Sequence, residues 1–314
     1  MKSITLGTSS LQVSRLAYGC WRIAGTQDPA RVKPADEAAG RKAVIAALDA
    51  GFTLFDLADI YCGGASEKVF GQALRQVHGM RDRVVISTKC GIRKSGDPVP
   101  DAPYRYDFSA SYIIWSCERS LKRLGVDAID LYLLHRPDYL MEPEEVAAAF
   151  SKLKRQGKVR EFGVSNFKPS QVALLQKSCP MNLHANQVEF SLVHRDPLTD
   201  GTLDQCHAIK LTLMAWSPLG GGVLASGARE LLQHQKGYKA KKVVAELDRL
   251  AKTHNTTRAN VALAWLLRHP AGVVPIVGSA DPARIREAAT AGKVELSREE
   301  WYRLLAVASP GPLP

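Results

Sequence analysis

Short β-branched or apolar runs alternate with longer amphipathic stretches from one end of the chain to the other, and this alternation restricts the fold more than anything else. The runs cover residues 16–20, 53–56, 84–89, 129–135, 161–165, 185–189, 211–216 and 273–277. Short runs rich in Val, Ile and Leu read as buried strands. The stretch 144–156 shows the other half of the pattern: Val146, Ala149, Phe150 and Leu153 stand at i, i+3, i+4 and i+7, on one face of a helix. Eight such strand–helix pairs predict an α/β chain closed into a parallel (β/α)8 TIM barrel. A barrel of that size takes up residues 1–314 as a single domain. Residues 4–6 and 11–13 flank Gly7-Thr8-Ser9-Ser10 and predict a short N-terminal β-hairpin across the barrel floor. The tail 310–314 (PGPLP) is expected to fray.

Two connections are long, 93–108 after the third run and 220–242 after the seventh. Loops beyond about 12–15 residues are commonly lids or binding loops, and both of these leave the C-terminal ends of barrel strands. The densest basic segment, 235–242 (QKGYKAKK), falls in the second and reads as a solvated loop. Lys and Arg total 42 against 31 Asp and Glu, a formal charge of +11, which raises the question of an anionic partner. The basic residues are spread along the chain rather than gathered in one arm or helix, so nucleic acid is not the expected partner. The six cysteines form no C-x-x-C pair, which points away from a zinc site or a disulfide framework and towards a reducing compartment. No signal peptide or membrane-spanning run is visible, so a cytoplasmic protein is expected.

Gly220-Gly221-Gly222-Val223-Leu224-Ala225 satisfies G-x-G-x-x-G/A after a strand. It stands seven strands into the chain with no clean βαβ unit behind it, so a Rossmann fold is not expected, while a phosphate cradle of another geometry stays open. Ser165-Asn166-Phe167-Lys168 matches S-x-x-K, but S-D-N and K-T-G are missing. Walker, H-E-x-x-H and G-x-S-x-G motifs are missing too.

In a barrel, polar residues at strand C-termini project into the mouth where the βα loops meet. Here those ends supply Asp56 and, just beyond it, Tyr61, then Lys89, His135, Ser165-Asn166, Asn186-Gln187 and Trp216-Ser217. Taken singly, each has a plainer explanation. Asp56 suits a turn cap, Tyr61 a rim aromatic, Lys89 a snorkelling strand end and His135 a satisfied core histidine. It is their occurrence together, in register on three strands, that points to chemistry.

At these residues the chain resembles an aldo-keto reductase. The resemblance rests on FDLADIYCGGASE (55–67), STKCG (87–91), DLYLLHRPD (130–138), GKVREFGVSNF (157–167), NQVEFSL (186–192), WSPLGGG (216–222) and PIVGSADPARIREA (275–288), in family order over nearly the whole chain. HRPD, GVSNF and AWSPLGGG are most similar to a bacterial subgroup of oxidoreductases with poorly defined substrates. The resemblance implies a catalytic tetrad of Asp56, Tyr61, Lys89 and His135. Hydride delivery to a carbonyl builds charge on oxygen, which an acid must protonate and a dipole must stabilise. A phenol titrates near pH 10, so a neighbouring Lys89 ammonium is expected to lower the Tyr61 pKa, with Asp56 holding that lysine charged and a neutral His135 aiming the carbonyl.

The same resemblance places Ser165, Asn166 and Gln187 on the nicotinamide carboxamide, with Trp216 stacked on its ring where many members have tyrosine. Ser217, Leu219, Gly220 and Gly222 fall on the pyrophosphate loop, and Gly278, Ser279 and Arg284 on the 2′-phosphate segment, favouring NADP(H). Two positions depart from the family: Gly278 replaces a common lysine, and Ala288 an asparagine. Trp21 resembles the aromatic wall of the substrate pocket, and Tyr104, Tyr106 and Phe108 lie in the long third loop. The implied activity is NADPH-dependent reduction of an aldehyde or ketone to its alcohol, reversibly, without metal. The implied partner is a small carbonyl or alcohol substrate, and the state a monomer or small homo-oligomer. Two rivals remain: an NADPH-binding sensor or auxiliary subunit with slow catalysis, and a Schiff-base aldolase using Lys89.

Overall fold

The computed structural model describes residues 1–225, 231–309 and 311. Strands β1 (Ser3–Thr5) and β2 (Gln12–Ser14) pair antiparallel as the expected hairpin, with Ile4 opposite Val13. Barrel strands β3 (Ala17–Gly19), β4 (Leu54–Asp56) and β5 (Val85–Cys90) follow. The long third loop carries a small antiparallel ladder, β6 (Ile92–Arg93) against β7 (Arg105–Tyr106). The barrel resumes with β8 (Ile129–Leu134), β9 (Val159–Ser165), β10 (Leu183–Glu189), β11 (Thr212–Trp216) and β12 (Val274–Val277). All eight are parallel, and β12 closes on β3 through Ile276 opposite Ala17. Every strand-like run in the sequence is therefore a barrel strand.

The helices are α1 (Pro34–Asp49), α2 (Ala65–Gln76), α3 (Met80–Arg83), α4 (Ala110–Leu124), α5 (Pro143–Arg155), α6 (Pro169–Ser178), α7 (Thr202–Ala208), α8 (Lys241–Thr253), α9 (Arg258–Leu267), α10 (Pro282–Ala288) and α11 (Arg298–Ala308). In α5, proline opens the helix, Glu144 and Glu145 occupy its first turn, and Lys152, Lys154 and Arg155 its last, so the charges complement the helix dipole. Its Val146, Ala149, Phe150 and Leu153 are the buried face that the spacing predicts. Among the described residues, no helix is long and apolar enough to cross a membrane. The tail reading lies outside the described residues apart from Gly311.

The strands divide the core in two. Leu54, Val85, Leu131, Leu133, Ala185, Met214, Val274 and Ile276 fill the barrel interior, and the hairpin adds Leu6, Leu11 and Val13 beneath them. Ile86, Cys90, Tyr132, Leu134 and Phe162 face outward into the larger layer shared with the helices. Because successive strand residues alternate between faces, this division sets the direction of every residue further along. Asp56 stands two residues from Leu54, Lys89 four from Val85, His135 two from Leu133, Gln187 two from Ala185 and Trp216 two from Met214. All five therefore turn into the barrel at its C-terminal mouth.

Candidate active site

Lys89 lies at the centre of the mouth and is fully buried. Its ammonium sits 2.8 and 2.9 Å from the two Asp56 carboxylate oxygens, donates to the Leu57 carbonyl at 2.7 Å, and donates to the Tyr61 hydroxyl at 3.0 Å. Tyr61 reaches it from the β4–α2 turn, where Cys62, Gly63 and Gly64 have φ of 48, 59 and 91°. Three consecutive left-handed residues demand glycine wherever possible, and a Cβ on Gly64 would meet the Arg123 side chain at 2.6 Å. The Tyr61 ring lies 5.9 Å from that of His135, edge to face, and 5.0 Å from that of Trp21. The four proposed catalytic side chains and the proposed pocket wall are thus in one place.

Burial raises the Tyr61 phenol to about 12, against the opposing pull of Lys89. Lys89 does pull the phenol down, as the sequence implies, but loss of hydration outweighs the ammonium and the net shift is upward. The phenol is held in its protonated form. Burial pulls Lys89 down, but Asp56 and Tyr61 more than offset it and the ammonium is kept charged. A Schiff-base nucleophile needs the opposite shift, so this environment counts against the aldolase rival. Burial, with Lys89 and Arg136 nearby, holds His135 well below the usual histidine range, leaving it neutral as expected. Its Nδ1 is buried with no partner among the described residues.

The ends of β8 to β11 are tied into one network. Ser165 donates to the Gln187 carbonyl (2.8 Å), while the Asn166 amide donates to the His135 carbonyl (3.0 Å) and to Ser165 Oγ (2.8 Å). Trp216 Nε1 donates to Asn166 Oδ1 at 3.0 Å. Asn166 holds φ at 64°, a left-handed position that asparagine tolerates. Gln187 reaches across the barrel, its amide nitrogen 2.7 Å from Asp56 Oδ1. The amides of Gly220 and Gly222 donate within their own turn, to Ser217 and Leu219 carbonyls, and Leu219 packs against the outer core. Gly278 follows β12, and the next residue, Ser279, accepts at its carbonyl from Tyr18 Oη (2.9 Å). Arg284 is half exposed, with Asp281 at 3.8 Å. Tyr104 is exposed, whereas Phe108 is buried and stacked on Phe167.

Sequence reasoning missed a second buried cluster. Glu189, two residues beyond Gln187 and equally inward, lies 2.6 Å from His234 Nε2 and accepts from Gln235 Nε2 (2.7 Å) and Tyr238 Oη (2.9 Å). Gln235 also donates to Ser217 Oγ at 3.1 Å. The first half of QKGYKAKK is therefore an inward-facing clasp rather than a solvated loop, because a buried carboxylate needs these donors. The period that finds Gln187 also finds Glu189.

Asp59 was missed as well. One of its oxygens accepts from Ser116 (2.8 Å) and the other is buried without a partner among the described residues. Burial, with Glu67 close by, raises its pKa from 3.8 to about 7. The folded state then binds a proton that the unfolded chain has released, so stability falls as pH rises between those two values. Asp59→Asn is expected to abolish that loss: between pH 5 and pH 8 the wild type should lose roughly 2–3 kcal/mol relative to the variant, read by urea unfolding. Parallel stabilities at both pH values would show that Asp59 is ionised and paired.

The aldo/keto reductase family model matches residues 15–308. A 6-dehydroglucose reductase from Agrobacterium fabrum is 40% identical over 311 residues, covering 98% of each chain. One of the same name from Novosphingobium aromaticivorans is 42% identical over 315 residues, covering 98% of this chain and 96% of its own. Among solved structures, a glycerol dehydrogenase from Gluconobacter oxydans superposes with a TM-score of 0.86 at 27% identity, covering 99% of this chain and 97% of its own. With the motifs in order, the barrel closed and a family match across nearly its whole length, the chain belongs to the aldo/keto reductase family and is an oxidoreductase.

Proposed function

We propose that this protein reduces an aldehyde or ketone to the alcohol with NADPH, in a reversible reaction in which Tyr61 gives the proton. The observation that carries the reading is the Lys89 ammonium 3.0 Å from the Tyr61 hydroxyl. Tyr61 remains protonated until the substrate oxygen needs its proton. Lys89 stabilises the phenolate left behind, and Asp56 keeps Lys89 charged. Neutral His135 orients the carbonyl oxygen towards Tyr61, and Trp21 walls the pocket. A bound nicotinamide supplies the hydride. The relatives' names suggest a sugar-derived aldehyde as substrate. The six cysteines are free and buried, which suits a cytoplasmic enzyme.

Leftover hydrogen-bonding capacity supports the cofactor assignment. The side-chain oxygen of Gln187, Oε1, has no partner among the described residues, and only one of its side-chain amide hydrogens is engaged, by Asp56. With Ser165 and Asn166 beside it, Gln187 suits a carboxamide, and Trp216 offers a ring for stacking. Ser217 accepts from Gln235, which leaves its own proton for a phosphate oxygen. Among the described residues, nothing stands within 4 Å of where a Gly278 side chain would begin, which leaves room for a phosphate beside Ser279, and Arg284 has only a long contact to Asp281. Consumption of NADPH with a panel of aldehydes tests the reading, and no turnover with any carbonyl would favour the sensor rival. Arg284→Ala is expected to weaken NADPH binding roughly tenfold and leave NADH binding unchanged, because one charge-assisted contact is lost at an exposed site. Tryptophan fluorescence titration checks this, and equal losses for both cofactors would move the 2′-phosphate elsewhere.

A further inference from the structure

Arg136 follows His135 directly, at the mouth end of β8, and its guanidinium carbon lies 5.5 Å from the centroid of the Trp216 ring on β11. Strands β9 and β10 separate β8 from β11 in the barrel, so this side chain spans the rim of the mouth rather than its outer wall. It is half-buried. Among the other half-buried arginines, Arg15, Arg81, Arg93, Arg105, Arg123, Arg195 and Arg258 each donate to a carboxylate or a carbonyl, and Arg41 donates to the Gln72 side-chain oxygen. Arg136 donates to none among the described residues, and its guanidinium faces the Trp216 ring. A ring face attracts the charge but accepts none of the five N–H groups. A partly dehydrated guanidinium fork is therefore left open beside the imidazole that orients the carbonyl.

We propose that Arg136 is a substrate-binding residue that selects carbonyl compounds bearing oxygen on the carbons next to the reacting one, as vicinal hydroxyls or a carboxylate. The inference rests on the carbonyl-reductase reading above. With the carbonyl oxygen between Tyr61 and His135, the remainder of a small substrate extends along the rim occupied by Arg136. Two adjacent oxygens match the spacing of a guanidinium fork, and an unsubstituted alkyl chain leaves the fork unpaired. Discrimination then arises from the donors that a poor substrate fails to satisfy.

The test compares kcat/KM with NADPH for two matched pairs, glyceraldehyde against propanal and glyoxylate against acetaldehyde. Wild type, Arg136→Leu and Arg136→Lys are each measured. Hydration of each aldehyde cancels when the preference within a pair is compared between wild type and variant. Wild type should prefer the oxygenated member of at least one pair, and Arg136→Leu should reduce that preference roughly ten- to hundredfold, chiefly through KM. Arg136→Lys keeps the charge but not the fork, so it should retain more of a carboxylate preference than of a hydroxyl preference. The pair that responds identifies which oxygen is read. Preferences unmoved in both pairs would overturn the proposal. So would a fall in NADPH affinity with preferences intact, since Arg136 would then only prop Trp216. Failure of wild type to consume NADPH with any of the four aldehydes would instead sink the carbonyl-reductase reading, and this inference with it.

Discussion

Tyr61→Phe should lower kcat for aldehyde reduction by roughly 10²–10⁴-fold, the usual contribution of a positioned general acid. The fold should tolerate the change. Lys89 retains both Asp56 oxygens and the Leu57 carbonyl when the phenol oxygen is lost, so no buried charge is stranded. The loss in stability should stay near 1 kcal/mol, the value of one ordinary hydrogen bond. NADPH affinity should also hold, since Tyr61 touches Trp21, Lys89 and His135 rather than the Trp216 face. Single-turnover kinetics with fluorescence titration separates these effects, and a variant retaining a tenth of the wild-type rate would remove Tyr61 as proton donor. Because burial raises the phenol to about 12, reduction should not titrate on this group across the neutral range. Alcohol oxidation needs the phenolate instead, so its rate should climb with pH, close to tenfold per unit until the phenol is ionised.

The barrel and its mouth were legible because both follow from one period. Two-residue alternation assigns Leu54 and Asp56 to one face, and Leu133 and His135 to another strand's equivalent face, before any contact is known. What alternation does not carry is dehydration. Lys89 beside Tyr61 reads as a lowered phenol pKa, but the pair is sealed under Trp21, and burial reverses the sign. Asp59 sits between Asp56 and Tyr61 in the sequence and looks like one more loop carboxylate. Only the packing of α4 against its turn, through Ser116, takes one of its carboxyl oxygens out of water. The clasp on Glu189 was hidden differently. Its partners lie 45 to 49 residues away, in a segment whose lysines suggested solvent, and no local pattern joins a strand end to a distant loop. Arg136 stood in plain view within HRPD. That it has no acidic partner among the described residues is a property of three dimensions.

Lys89→Met should destabilise the protein by about 3–5 kcal/mol, the penalty for leaving a buried charge without its partner. Asp56 is 3% exposed, and with the ammonium gone only the Gln187 amide, among the described residues, remains to support its carboxylate. The double variant Lys89→Met/Asp56→Asn removes the stranded charge as well, and should recover most of that stability while remaining inactive. A buried ion pair and a neutral replacement of similar volume are often close in free energy, so this recovery would show that the pair serves proton transfer rather than folding. The pH dependence follows from the raised Lys89 pKa, which burial lowers and Asp56 and Tyr61 more than restore. A raised lysine contributes stability in full below its unfolded pKa and loses it only as pH passes the folded value. The gap between wild type and Lys89→Met should therefore be constant through neutrality and close only in strongly alkaline solution. Urea unfolding across that range reads it directly. A single variant as stable as wild type would mean that Asp56 takes up a proton on losing Lys89 at little cost, and the tetrad would then be held together by packing rather than by charge.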